Sequence, residues 1–169
     1  MMFLAIVALA CRAADKPLQP YQTAILGKFA VDPGLSKSGF PEGYENVLEK
    51  TLFARLLSEH VFPHVLDDVP GNTAGDISGK VLLLEGEVTD FSKGNRAARV
   101  AIGYGAGGAK LRITLVFRDL ATHEEVMSLA ETGRYIGFGN LTGGSAEKAR
   151  SESARKVVDK LMKKIKAAR

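Results

Sequence analysis

From Lys110 to Asp119 apolar and polar side chains alternate: Leu111, Ile113, Leu115 and Phe117 interleave with Lys110, Arg112, Thr114 and Arg118. Successive side chains leave a strand on opposite sides, so a period of two predicts a strand with one dry and one wet face. Turn residues Leu120 to His123 follow, and Glu124 to Tyr135 reads as the returning strand of an antiparallel hairpin. The same alternation marks Lys80 to Phe91, where Leu82, Leu84 and Val88 oppose Glu85, Glu87 and Thr89. Cross-strand pairing of Glu85 and Glu87 with Lys110, Arg112 or Arg118 is expected, rather than a catalytic pair of carboxylates.

A sheet with one apolar face has to be covered, and two helical patterns can do it. In the first, Tyr44, Val47, Leu48, Thr51, Leu52 and Leu56 recur at three and four residues, widened by Phe53 and Leu57. It is expected to open at Gly39-Phe40-Pro41-Glu42 and to stop before Pro63. In the second, Ser145 to Arg169, the stripe is Ala154, Val157, Val158, Leu161, Ile165 and Ala168. Thr23 to Val31, broken by Asp32-Pro33-Gly34, and Val61 to Leu66, with Pro63 suited to a sheet edge, complete the strands. The expected fold is therefore α+β: a mixed, largely antiparallel five-stranded sheet with two long helices packed on it.

Ahead of this domain, residues 1–10 carry no charged side chain and read as a signal-peptide core, although the usual opening Lys or Arg is missing. Ten residues are too few for a membrane-spanning helix, which needs about 20. The run ends at Cys11, the single cysteine, which can form no internal disulfide. Ala8-Leu9-Ala10-Cys11 resembles the lipobox of bacterial lipoproteins, with the leucine two places before the cysteine where the motif usually has it three before. Ala8-Leu9-Ala10 also fits ordinary signal cleavage. Lipid attachment at Cys11, plain secretion and an incidental cysteine are thus three readings, and lipidation is the one carried forward. Residues 11–22, with Pro17 and Pro20, read as a tether, and 23–169 as one domain.

Charge is unevenly placed. The net charge is +4, yet residues 145–169 hold nine basic side chains and three acidic ones, a surplus of +6 that leaves −2 elsewhere. A basic terminal helix can approach anionic lipid or nucleic acid; the reading adopted is a solvated helix face, with no nucleic-acid partner. Aromatic residues are 7% and Trp is absent, which argues against a stacking surface for bases or sugars.

No catalytic centre is legible. Gly103-Tyr104-Gly105-Ala106-Gly107-Gly108 has dinucleotide-binding spacing but runs into a strand rather than a helix, and Gly108-Ala109-Lys110-Leu111 lacks the end of a phosphate loop. His60 and His64 are four apart with Pro63 between them and no third zinc ligand in view; His123 stands alone. There is no nucleophile elbow. No cofactor or metal is expected. The fourteen residues Asn95 to Gly108 are long for a connection and carry Arg96, Arg99, Tyr104, Gly105, Gly107 and Gly108, so this loop is the candidate interaction surface. Gly137 to Gly144 reads as a second glycine-rich connection.

The stretch Leu84 to Phe91, the glycine motif Gly103 to Leu111 and Asp119-Leu120-Ala121-Thr122 together resemble a family of bacterial lipoproteins of unknown function, domain-of-unknown-function family forty-four-ten. Relatives tend to carry glycine where this chain has His123. More remotely, the element order is similar to envelope lipoproteins of the curli-export and penicillin-binding-protein-activator type. The resemblance implies a non-catalytic role: a lipoprotein anchored to a bacterial membrane, the outer one favoured, facing the periplasm and binding an envelope protein or itself. The alternative is a small envelope hydrolase or ligand-binding protein whose site one sequence does not reveal.

Overall fold

The computed structural model describes residues 16–67, 79–92, 109–135 and 146–169, with Ser36, Ala109, Tyr135 and 146–150 described by their backbone alone. The chain runs through β1 (Tyr21–Leu26), β2 (Ala30–Val31), a 3-10 helix (Pro33–Ser38), α1 (Tyr44–Ser58), β3 (His64–Asp67), β4 (Lys80–Ser92), β5 (Ala109–Asp119), β6 (Glu125–Tyr135) and α2 (Ala146–Ala168). The strands form one sheet in the order β3-β1-β4-β5-β6, and β2 pairs with β4 in line with β1. It is mixed, as expected: the long ladders β4–β5 and β5–β6 are antiparallel, and the shorter β1–β3, β1–β4 and β2–β4 ladders are parallel.

The alternation works as the sequence predicts. Leu82, Leu84, Val88, Leu111, Ile113, Leu115 and Phe117 are fully buried beneath the helices. Leu48, Leu52 and Leu56 of α1 and Val157, Val158, Leu161 and Ile165 of α2 close the same core. At such sites each large apolar side chain contributes about 1.5–3 kcal/mol. At Gly133 of β6 the helix α2 packs closely on the sheet, for a Cβ there would overlap the Val157 side chain. Arg55 of α1 joins the helices by pairing with Asp159 of α2 at 2.8 Å, and also pairs with Glu59 at the end of its own helix at 2.6 Å. Beside the outer strand β6, Lys160 donates to the Thr132 carbonyl at 2.9 Å and Lys164 pairs with Glu131 at 2.6 Å. Lysines so placed discourage further strand pairing.

Several expectations need correcting. The first strand is two collinear pieces with Gly27–Phe29 between them. The strand expected from Val61 begins at His64, because Val61 and Phe62 turn inward as core residues. The first helix begins at Tyr44 and not at Phe40: Gly43, at φ 74°, takes a left-handed conformation that cannot continue a helix. Leu57, expected to widen the buried face, is 44% exposed. Of the stretch read as a tether, Leu18 is fully buried and Tyr21 opens β1. The packed fold has therefore begun by Leu18.

The ends of the described fold are clasped together. Leu18 N–H donates to the Ala168 carbonyl at 3.0 Å. The Arg169 guanidinium donates to the Tyr21 carbonyl at 2.8 Å and lies 4.8 Å from the Phe62 ring centre. Burial lowers the Arg169 pKa, while carbonyl oxygens and the ring face partly offset the cost of burying the charge.

Candidate functional site

The break between β1 and β2 builds the clearest surface feature. Gly27 N–H still reaches the Leu84 carbonyl at 2.9 Å, and Asp32 N–H picks up Val88 at 3.0 Å. Between these anchors the chain bulges. Phe29 turns into the core and lies against Gly86, where a Cβ would collide with its ring. Its N–H is held by the Glu49 carboxylate of α1 at 3.0 Å. Lys28 is thereby turned out to solvent. Glycine in a strand interior commonly marks such a bulge or a close approach, and this strand pair uses one for each purpose.

Beside Lys28 a groove of about 540 Å³ opens on the wet side of the sheet. Leu83 and Val116 give it an apolar floor; Lys28, Glu85, Glu87 and Arg118 give it charge of both signs. Glu85 and Arg118 are paired at 2.9 Å, the cross-strand contact that the alternation predicts. Both side chains are well exposed, so the pair contributes at most about 1 kcal/mol. The lining contains no histidine, cysteine or hydroxyl nucleophile. Two cations and two carboxylates surround an apolar strip, an arrangement able to take a polar segment by hydrogen bonds and ion pairs.

A second, shallower groove of about 360 Å³ lies beside the start of α1, between Val31, Pro33 and Phe40, with Asp32, Glu42 and Glu45 around it. Phe40 closes it from within by edge-on contacts to Tyr44 at 5.9 Å and Phe91 at 5.4 Å.

Cys11 and the loop residues Arg96, Arg99, Tyr104, Gly105, Gly107 and Gly108 lie outside the described residues. Their attachment points are described. Ser92 pairs with Lys110 and Ala109 with Tyr135, so the connections 93–108 and 136–145 leave from adjacent strands at one end of the sheet. The three histidines are exposed at the opposite end, His60 between α1 and β3, His64 at the start of β3 and His123 in the β5–β6 turn. No group of three or more potential metal ligands occurs among the described residues. On α2, Lys156, Lys164 and Lys166 pair with Glu152, Glu131 and Glu59, so much of that basic face is locally compensated. No helix among the described residues is long and apolar enough to cross a membrane.

Sequence reasoning missed Lys28 and Glu87 as neighbours in a groove. Gly27 within an apolar run was the available signal, but which residue the bulge would expose depends on Phe29 finding Gly86 on another strand.

A mixed sheet with helices over one face and a charged groove on the other defines a small α+β module. The chain belongs to the family described as Domain of unknown function (DUF4410), whose model matches residues 45–139. No curated protein matches it. Among solved structures it is similar to a DUF330 protein from Xanthomonas campestris, at 11% identity and TM-score 0.57, covering 89% of this chain and 88% of that one. A hypothetical protein from Chlamydia trachomatis is similar at 7% identity and TM-score 0.56, covering 86% and 96%. A PelC dodecamer from Paraburkholderia phytofirmans is similar at 13% identity and TM-score 0.50, covering 84% and 90%. At these identities the likeness is one of fold.

Proposed function

We propose that this protein is a non-catalytic lipoprotein of the bacterial cell envelope, anchored through Cys11 and serving as a binding or assembly module. The observation that carries the binding role is the groove at Lys28, Glu85, Glu87 and Arg118, which offers charge and an apolar floor but no nucleophile in its lining. The anchor rests on the apolar run ending in Ala10-Cys11. On this reading the domain faces the periplasm from the outer membrane and holds an envelope protein or further copies of itself. The dodecamer of a protein with a similar fold favours self-assembly. The 93–108 connection, with Arg96, Arg99 and Tyr104, supplies a second contact region at the end of the sheet.

The test is chemical cross-linking of the full-length protein in intact cells, comparing wild type with Lys28→Ala/Glu87→Ala. Both residues are exposed, so folding is expected to be unchanged. Loss of the wild-type cross-linked species in the double variant supports the groove as the contact. An identical pattern in both removes it.

A further inference from the structure

The clasp between Leu18 and the end of α2 determines more than stability. We infer that the end of the domain carrying this clasp is a membrane-contacting surface that rests on phospholipid headgroups. The inference builds on the Cys11 anchor proposed above. Leu18 follows Cys11 by only seven residue steps, which at 3.3–3.6 Å per residue reach at most about 25 Å. Leu18 is buried and bonded to Ala168, so the tether cannot lengthen without unpicking the core. A lipid on Cys11 therefore keeps this end of the sheet near the bilayer. Strand β4 starts here at Lys80 and runs thirteen residues, about 40 Å, to the other end.

The surface chemistry of the clasped end agrees. Lys16 and Lys80 are exposed on it, and Arg169 closes it with carbonyl partners. Of the carboxylates present, Glu59 is taken up by Lys166 and Arg55. Asp119 accepts from the Tyr21 hydroxyl and from the backbone of Ala121 and Thr122; Glu124 is exposed in the same turn and Glu125 at the start of β6, opposite Arg118. The last turn of α1, which ends here, carries the exposed Leu57. Exposed lysines and an exposed leucine at one end of the domain suit an anionic interface. The far ends of β4 and β6, at Ser92 and Tyr135, are then held away from the lipid.

The experiment uses the acylated full-length protein in vesicles of phosphatidylethanolamine and phosphatidylglycerol that contain a headgroup spin label. A fluorophore is placed on Ala121→Cys, in the β5–β6 turn, or on Glu42→Cys, ahead of α1 at the other end. The Ala121 probe is expected to lose most of its emission and the Glu42 probe to keep it. In Lys16→Glu/Lys80→Glu, attachment is expected to persist while the Ala121 probe regains emission. Equal quenching of both probes, or an unchanged Ala121 signal after charge reversal, overturns the contact. A protein that never joins the vesicles, or a Cys11→Ser variant that joins them equally, overturns the anchor itself.

Discussion

Arg169 donates to the main-chain carbonyl of Tyr21 at 2.8 Å, so the residue that follows α2 holds the start of the first strand. Leu18 and Phe62 complete the contact. Replacing Arg169 with Ala leaves the Tyr21 carbonyl without this donor and uncovers the ring. The expected loss is about 1–3 kcal/mol, read as a lower urea midpoint with an unchanged slope. Amide exchange at residues 18–21 should rise more than in β5. A wild-type midpoint would show that the clasp contributes nothing.

Gly133 and Gly86 are expected to tolerate alanine poorly. A Cβ at 133 meets Val157 of α2, and one at 86 meets the Phe29 ring. Either neighbour must move within a packed core, which typically costs about 1–3 kcal/mol. Gly133→Ala/Val157→Ala should recover part of the loss suffered by Gly133→Ala alone, and a double-mutant cycle on thermal or urea unfolding measures the coupling.

His123 lies at φ 60°, a left-handed conformation that a residue with a Cβ adopts at a cost of about 1–2 kcal/mol. Its N–H donates to the Asp119 carbonyl at 2.8 Å, so the turn requires that conformation. His123→Gly relieves the strain but adds unfolded-state entropy. A net gain of about 0.5–1 kcal/mol is expected, visible as a higher midpoint. Destabilisation by this substitution would mean that the imidazole makes a contact worth more than the strain.

Tyr21 controls the alkaline limb of stability. Burial first, then its hydrogen bond to Asp119 at 3.0 Å, pushes its pKa up from 10.0 to about 12. A raised folded value means that stability is fully present below the unfolded value and is lost as pH rises through the window from 10.0 to about 12. Tyr21→Phe should be weaker at neutral pH and flatter across that window. On the acid side, Asp119 is held below the usual range by the backbone N–H groups of Ala121 and Thr122, and Glu59 by Lys166. Their contribution is present above the ordinary carboxylate range and lost as pH falls through their lowered values. Urea midpoints measured from acid to alkali check both limbs.

Much of the architecture was legible because it rests on periodicity. Leu111 to Phe117 alternate, and Val157 to Ile165 repeat at helical spacing, and both patterns are buried as read. What could not be read depends on distant partners. Phe29 and Gly86 are far apart in sequence, yet their contact splits the first strand and turns Lys28 outward. Leu18 looked like part of a proline-containing tether because its burial depends on Ala168 and Arg169, at the far end of the chain. The candidate groove was invisible for the same reason: its charges come from β4, β5 and a bulge whose position no local pattern specifies.

The proposed envelope role rests on a lipid carried by Cys11. Growth with radiolabelled palmitate, followed by membrane fractionation, tests it most directly. The account predicts label in the membrane-bound wild-type protein and none in Cys11→Ser. Equal label in both, or an unlabelled wild-type protein in the cytosol, would contradict it.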